Sequence, residues 1–399
     1  MNRTAMKQKT PGPEKKSKPI QSGITRRDFL ALSGLAAAGM IITGCRSRKK
    51  DTLSLPATGK SKVAIAKAGS YDIQILRREI RNMFEQIGGL NDIIKPGARV
   101  AIKVNLTGGL FFSKEYAEVG INAHWTHPEL VRAVGEAILD AGAKELFIME
   151  SLYEDTTYKI AGYPEMADAL GARLINLEKP DPYNDFIHQK TGEDWLIYEE
   201  FIFNRLVMEA DAFVSIAKLK CHGSCGVTLA MKNHIGLVPV KYYCTDAQPN
   251  NRSAMHGNAK ESGNRLPKVI VDLVRTRPID LSIIDGIQTT EGGEGPWVKN
   301  TFGMVKPGVI IAGKNPVATD SVATAAMGFN PNAGAFETPF VSSLNHLALA
   351  CEKGLGTNLL DEIEVLGTKL EEVVYPFRSC AGRDNITSGS IRNYDSGYC

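Results

Sequence analysis

Short apolar segments alternate with amphipathic helical segments along most of the chain, and this alternation constrains the fold more than any other feature. Apolar runs typical of strands occupy residues 63–68, 99–104, 145–150, 211–217, 280–285 and 309–312. Helical spacing of apolar residues is found at 73–87, 127–141, 227–235, 266–275 and 316–327. Such alternation predicts an α/β fold, with a mostly parallel sheet flanked by helices. We expect a single large domain or two closely packed α/β lobes.

The first 45 residues are typical of an export and lipidation signal. A basic stretch leads to Arg26 and Arg27 in a twin-arginine pattern, and an apolar stretch then ends at ITGC with Cys45. Residues 31–44 are too few for a membrane span, which takes about 20 apolar residues. We expect the twin-arginine translocation machinery to export the chain, and a lipid on Cys45 to anchor it in the cell envelope or periplasm. An uncleaved anchor helix is the alternative.

The remaining boundaries follow from composition. Residues 46–60 are typical of a flexible tether, 61–370 form the predicted α/β domain, and 371–399 form a polar C-terminal tail. Cys380 and Cys399 lie in this tail and could pair in an oxidising compartment, although their spacing does not establish the bond.

The formal charge argues against a nucleic-acid partner. The first 44 residues hold eight Lys or Arg and two Asp or Glu, so cleavage before Cys45 changes the net charge from +3 to −3. The basic character therefore belongs to the signal, and no basic surface is predicted on the domain.

Polar residues gather directly after the predicted strands. Ligands of open α/β sheets bind at the carboxyl ends of the strands, so these residues predict one pocket at that edge. Its lysines and amides suit an anionic small molecule, such as a carboxylate or phosphate. The candidate ligand-binding residues are Lys103, Asn105, Lys218, Lys232, Asn233, Glu294, Asp320, Arg252 and His256.

The segment 218–236 (KLKCHGSCGVTLAMKNHIG) carries most of this chemistry. We assign candidate catalytic roles to His222, as an acid or base, and to Lys220 and Asp285. A helix predicted to begin near Val227 would offer unpaired N–H groups to an anion. The alternative is that the lysines are solvated surface charges.

Two further expectations concern charged residues outside that segment. Asp320 falls inside an otherwise apolar helical segment, where an unpaired carboxylate is costly, so we expect a lysine or a metal ion to neutralise it. Arg252 and His256 lie in an Asn-rich loop that could close over a ligand, or could simply be mobile.

Three cysteines and a histidine are candidate metal ligands. Cys221, His222, Cys225 and Cys244 could hold a metal ion, and the three cysteines could ligate an iron–sulfur cluster. The spacing C-x3-C is not the usual zinc spacing, however, and free cysteines often only pack in the core. The sequence therefore leaves the cofactor open.

Seven motifs in this order resemble domain of unknown function family 362. They are KVN (103–105), THP (126–128), KLK (218–220), MKN (231–233), DG (285–286), EGP (294–296) and NPVATD (315–320). The resemblance extends over residues 60–370. Some members carry a ferredoxin-type module, whose C-x2-C-x2-C-x3-C-P pattern is absent here, so cluster-based electron transfer is not implied. The family has no generally established reaction, and the resemblance bears on fold and site location.

Three functions remain open from the sequence. The first is an envelope enzyme, or enzyme accessory, that binds an anionic small molecule. The second is a redox or metal-handling protein built on Cys221, His222, Cys225 and Cys244. The third is a non-catalytic solute-binding or assembly lipoprotein.

Overall fold

One large mixed sheet organises the described part of the protein. The computed structural model describes residues 59–108, 123–258, 260–295, 298 and 302–380. The predicted signal with Cys45, most of the tether, and Cys399 lie outside these residues. Cys380 is disulfide-bonded.

Strands and helices follow one another along the described residues. The strands are β1 (Ser61–Lys67), β2 (Arg99–Lys103), β3 (Glu145–Glu150), β4 (Arg173–Asn176), β5 (Ile187–Lys190), β6 (Glu200–Phe203), β7 (Ala212–His222), β8 (Gly226–Thr228), β9 (Leu281–Glu291), β10 (Gly303–Val305), β11 (Val309–Gly313) and β12 (Ile363–Gly367). The α-helices are α1 (Ile73–Gln86), α2 (Pro128–Asp140), α3 (Thr157–Ile160), α4 (Tyr163–Leu170), α5 (Arg205–Glu209), α6 (Val240–Tyr243), α7 (Ser253–His256), α8 (Ser262–Thr276), α9 (Pro316–Ala326) and α10 (His346–Glu352). Short 3-10 helices cover Lys232–Leu237, Leu360–Glu362 and Leu370–Glu372.

The strand order confirms the predicted α/β fold with a mostly parallel sheet. The strands lie in the order β12-β1-β11-β9-β7-β2-β3-β4, with β10 beside β9 and β8 beside β7. The run β4-β3-β2-β7-β9 is parallel throughout. Because β11 is antiparallel to both β9 and β1, strand β1 again runs in the direction of β9. The carboxyl ends of β1, β2, β3, β7 and β9 therefore meet at one edge.

Strand β7 is the centre of the sheet, and its two faces belong to two hydrophobic cores. Every residue of β7 is buried. Phe213 and Leu219 pack with residues of α8 and α9, whereas Val214 and Ile216 pack with α1 and α2 on the other face. Each fully enclosed aliphatic side chain of this kind stabilises the fold by about 2 kcal/mol. This burial explains why β7 reads as a continuous apolar run rather than an alternating one.

The prediction of a helix at 227–235 is wrong. Residues Gly226–Thr228 instead form β8, which turns back and pairs antiparallel with the end of β7. Only a 3-10 helix, Lys232–Leu237, follows. Residues 187–203, by contrast, contain the antiparallel pair β5–β6.

Asp320 fixes helix α9 to the segment between β8 and the 3-10 helix. Its two carboxylate oxygens accept hydrogen bonds from the backbone N–H groups of Ala230 and Met231, each at 2.9 Å. The carboxylate is fully buried, and burial raises the pKa of Asp320 to about 7. The N–H groups that the predicted helix would have offered to an anion are thus already bound by this side chain.

We expect Asp320→Ala to lower the free energy of unfolding by about 3 kcal/mol, because two buried N–H groups lose their acceptor. Urea denaturation measures this change. Ser321→Ala is the matched control, since the Ser321 hydroxyl only donates to the carbonyl of Val317 within the same helix. Equal stability of the two variants would contradict the assignment.

Candidate functional site

Lys218 and Asp285 form an enclosed ion pair between β7 and β9. The two residues lie opposite each other in the parallel register. Their Nζ and Oδ2 atoms are 2.9 Å apart, and neither side chain is exposed to solvent. The Tyr71 hydroxyl accepts from Lys218 Nζ at 2.9 Å and donates to Asp285 Oδ1 at 2.8 Å. Burial and the neighbouring Asp285 carboxylate raise the pKa of Tyr71 well above its usual range, so the phenol remains a donor.

The starts of helices α1 and α2 are held against this ion pair. Tyr71 and His127 precede α1 and α2, and their rings stack with centroids 3.7 Å apart and planes inclined by 6°. The His127 backbone N–H donates to Asp285 Oδ2 at 3.1 Å. Its Nδ1 accepts from Glu129 N–H, which caps α2, and burial lowers the pKa of His127 to about 4. Both helix starts are therefore positioned by Asp285.

A second buried ion pair joins the ends of β2 and β3. Lys103 Nζ lies 2.8 Å from Glu150 Oε1, and it donates to Asn233 Oδ1 at 3.0 Å. Burial lowers the pKa of Lys103 to about 8, while Glu150 opposes that shift. The backbone of Gly236 passes so close that a β-carbon there would lie 2.7 Å from Lys103 Nζ. This pair stabilises the edge of the sheet and leaves little room for a ligand.

Lys220 is buried among neutral acceptors. Its Nζ donates to Asn105 Oδ1 at 3.0 Å and to the backbone carbonyl of His124 at 3.1 Å, and His124 Nδ1 lies 3.4 Å away. No carboxylate of the described residues pairs with it. Burial, followed by the charges of Lys232 and Lys218, lowers the pKa of Lys220 well below its usual range.

His222, Lys232 and His256 form the outer part of the site, together with Glu294. Lys218, Lys220 and His222 share one face of β7, because side chains two residues apart in a strand point the same way. His222 remains 8% exposed, while the two lysines are fully buried. The rings of His222 and His256 lie with centroids 6.4 Å apart. Glu294 Oε2 accepts from the backbone N–H of Gly223 at 3.3 Å.

Lys232 contributes an ammonium without a protein counter-ion in the described parts of the chain. Its side chain is half-buried, and among the described residues it makes no hydrogen bond or ion pair. The charge of Lys232 lowers the pKa values of His222 and His256, in both cases after the larger effect of burial. It acts likewise on His346, whose pKa burial lowers to about 3. These histidines are therefore neutral rings around one cation.

The predicted metal centre is not formed. Among the residues described, no three His, Cys, Asp or Glu side chains are arranged to hold a metal ion. Cys221 and His222 are adjacent in β7, so their side chains point to opposite faces, and Cys221 Sγ donates to the carbonyl of Arg378. Burial raises the pKa values of Cys221 and Cys225 to about 12, which disfavours the thiolates that metals bind. Cys244 is half-buried and free.

Two other expectations need correction. Asp320 is neutralised neither by a lysine nor by a metal-binding group, because two backbone N–H groups satisfy its carboxylate. Arg252 is buried and is held by contacts within the protein. Its Nε donates to the carbonyl of Val238 at 2.8 Å, and its Nη2 lies 3.3 Å from Glu178 Oε1. It anchors the loop that carries His256.

Tyr71 and His124 belong to the site but did not stand out in the sequence. Tyr71 follows β1, whose carboxyl end lies at the same edge as those of β7 and β9, so the strand-end rule could have found it. His124 precedes α2 and reaches Lys220 only through the tertiary fold. No local pattern marks it.

A separate surface cavity of about 390 Å³ lies beside β1 and α1. It is lined by Lys67, Asn82, Glu372 and their neighbours, and by none of Lys103, Lys218, Lys220, His222 and Asp285. The buried charged residues and His222 lie at the ends of the strands instead.

Comparisons with known proteins agree with the predicted family. Residues 100–325 match the family described as Domain of unknown function (DUF362), and the chain belongs to this family. Thylakoid-associated protein sll1697 of Synechocystis sp. is 27% identical over 320 residues, which cover 79% of this chain and 89% of that protein.

Two solved structures show a distant likeness at 13% identity. The lactate racemase apoprotein from Thermoanaerobacterium thermosaccharolyticum has a TM-score of 0.37 over 66% of this chain and 56% of its own. A protein from Thermotoga maritima has a TM-score of 0.32 over 57% and 53%. The chain thus spans little more than half the length of either, and the likeness says nothing about the chemistry of the site.

We expect Asp285→Ala to lower the free energy of unfolding by about 3–5 kcal/mol, because it leaves the Lys218 ammonium buried without its counter-ion. The double variant Lys218→Met/Asp285→Ala removes that charge, and should recover part of the loss. Denaturant unfolding of both variants measures the difference.

The exposed pair Lys179–Asp155 provides the control, since an ion pair in water contributes little. Asp155→Ala should change stability much less than Asp285→Ala. A double variant no more stable than Asp285→Ala would show that the buried charge is not the cause.

Proposed function

We propose that this protein binds a small anionic molecule at the outer end of β7, as an enzyme or enzyme accessory of the cell envelope. One observation carries the proposal. Lys103 and Lys218 each contact a carboxylate, whereas Lys220 and Lys232 contact none within the described residues. The site therefore has two lysines without a contacting carboxylate, close to the one partly exposed residue of the row, His222.

The position of the charges favours binding at the outer end rather than deeper in the sheet. Lys218 and Lys103 are enclosed by partners that already use their hydrogen bonds. Lys232, His222 and His256 keep some exposure. An oxyanion there would pair with the Lys232 ammonium in a charge-assisted hydrogen bond, which is about twice as strong as a neutral one.

Lys220 is the residue best placed for acid–base chemistry on such a ligand. An amine with a pKa well below its usual range exchanges protons closer to neutral pH than an exposed lysine does. Asn105 and His124 fix its position. In this proposal Lys218 and Asp285 are positioning residues, because they hold the strand that carries Lys220 and His222.

We expect Lys232→Met to weaken the binding of inorganic phosphate by about tenfold or more, because the variant keeps the length of the side chain but removes its charge. Phosphate should raise the melting temperature of the unmodified protein in a saturable manner, and isothermal titration should give the dissociation constant.

Lys144→Met is the matched control for this experiment. Lys144 is exposed and directly precedes β3, at the opposite edge of the sheet, so its loss changes the net charge equally without touching the site. Phosphate binding that is equally strong in the Lys232→Met variant would contradict the proposal, as would an unmodified protein that binds neither phosphate nor a small carboxylate.

We also propose that the protein is exported by the twin-arginine route and anchored by a lipid on Cys45. The support is the pattern of residues 25–45, together with the Synechocystis relative, whose name associates it with the thylakoid. No helix in the described ranges is long and apolar enough to cross a membrane.

Cys45→Ser should abolish incorporation of radiolabelled palmitate, and should move the protein from the membrane to the soluble fraction, because the thiol is the acylation site. Cys351→Ser, which replaces a half-buried free cysteine, is the control. Labelling that survives in the Cys45→Ser variant would rule out this anchor.

A further inference from the structure

The hydrogen bonds of His222 and His256 fix opposite tautomers in the two rings. The backbone N–H of Ser224 donates to His222 Nδ1 at 3.1 Å, so this nitrogen carries no proton. In the neutral ring the proton is then on Nε2. His256 Nδ1 lies 3.1 Å from the carbonyl of Arg252, which can only accept. The proton of His256 is therefore on Nδ1, and its Nε2 presents a lone pair.

Both rings are neutral at physiological pH. Burial lowers the pKa of His222 well below its usual range, and Lys232, His256, Lys220 and His346 lower it further. Burial also lowers the pKa of His256, with Lys232 and Arg252 acting in the same direction and Glu294 opposing them. The outer site thus presents a hydrogen-bond donor on His222 and an acceptor on His256.

Around the two rings, Lys232 adds a hydrogen-bond donor and Glu294 adds an acceptor. The ring centroids are 6.4 Å apart and the ring planes are inclined by 23°, so the two rings are stacked neighbours, close enough for one small ligand at their edges to reach both. Lys232 supplies an ammonium donor. The Glu294 carboxylate accepts from Gly223 N–H, its charge raises the pKa of His256, and it repels an anion that has no proton to share.

From this geometry we infer that the site selects anions that also carry a hydroxyl group, either a hydrogenphosphate or a hydroxycarboxylate. The inference rests on the proposed anion-binding function and specifies its ligand class. The anionic oxygens accept from Lys232 and His222 Nε2, while the hydroxyl donates to His256 Nε2. A fully deprotonated oxyanion leaves the His256 lone pair facing another lone pair, which costs binding free energy.

Two pairs of ligands test this selectivity, because each pair differs only in the hydroxyl. At pH 8, hydrogenphosphate and sulfate are dianions of similar size, and only hydrogenphosphate carries a proton. Glycolate and acetate share a carboxylate, and only glycolate has a hydroxyl. Titration calorimetry on the full chain should show a preference of about tenfold or more for the hydroxyl-bearing member of at least one pair.

His256→Leu should reduce this preference to less than about threefold, because the acceptor is gone. His188→Leu is the control, since His188 lies on the β5–β6 pair and binds Glu200. Preference in the phosphate pair identifies a phosphoryl ligand, and preference in the carboxylate pair identifies a hydroxy acid. Equal affinity within both pairs overturns this inference but leaves anion binding intact. No saturable binding of any of the four overturns both.

Nitrogen NMR of the histidine rings gives an independent test on the unmodified protein. The chain has seven histidines, so single substitutions assign every ring. We expect the protonated nitrogen to be Nε2 in His222 and Nδ1 in His256 at pH 8. The same tautomer in both rings, or the reverse assignment, overturns the inference even if a His256 variant fails to fold.

Discussion

The ion pair between Lys218 and Asp285 constrains the positions of the chain segments around it. A carboxylate and an ammonium without solvent contact are tolerated only when each has hydrogen-bond partners as well as the other charge. Asp285 obtains them from Tyr71 and from the backbone of His127. These partners bring the loop after β1 and the start of α2 onto the centre of the sheet. A single charge pair thus joins four segments that are distant in sequence.

The same strand carries three buried polar residues, of which only the last keeps a small exposure. Lys218 is compensated by a carboxylate, Lys220 by neutral oxygens and a ring nitrogen, and His222 reaches the surface. Because β7 extends beyond β2, its last residues pair with β8 on that side instead. The end of β7 is therefore fixed by a hairpin, and of these three side chains only His222 keeps a small exposure.

Much of the sheet could be predicted from the sequence, as could the position of several polar candidate residues at the strand ends. Buried parallel strands form continuous apolar runs, and their carboxyl ends share one edge, so Lys103, Lys218 and Asp285 were expected near one another. The helix predicted at 227–235 failed because its apolar residues are equally suited to a short strand. The pairing with β7 and the bonds to Asp320 decided between the two, and neither partner is visible in a local pattern.

The metal hypothesis failed for a reason that the sequence did contain. Neighbouring residues of a strand point to opposite faces, so Cys221 and His222 could not converge once 212–222 was one strand. Predicting the strand only as far as residue 217 concealed this. Asp320 shows a different limit of prediction from sequence. A charged group was expected to stabilise its buried carboxylate, whereas hydrogen bonds from two backbone N–H groups are sufficient.

The depressed pKa of Lys220 has a consequence for any anion that reaches the outer site. Lys220 loses its proton readily because burial and two nearby cations disfavour its charged form. A negative charge beside His222 would offset those cations and raise that pKa. Occupancy and protonation are then thermodynamically linked, so that the ligand enters together with hydrogen ions taken from the solvent. Lys220, which contacts no carboxylate among the described residues, would thereby make ligand affinity depend on the acidity of the compartment in which the protein resides.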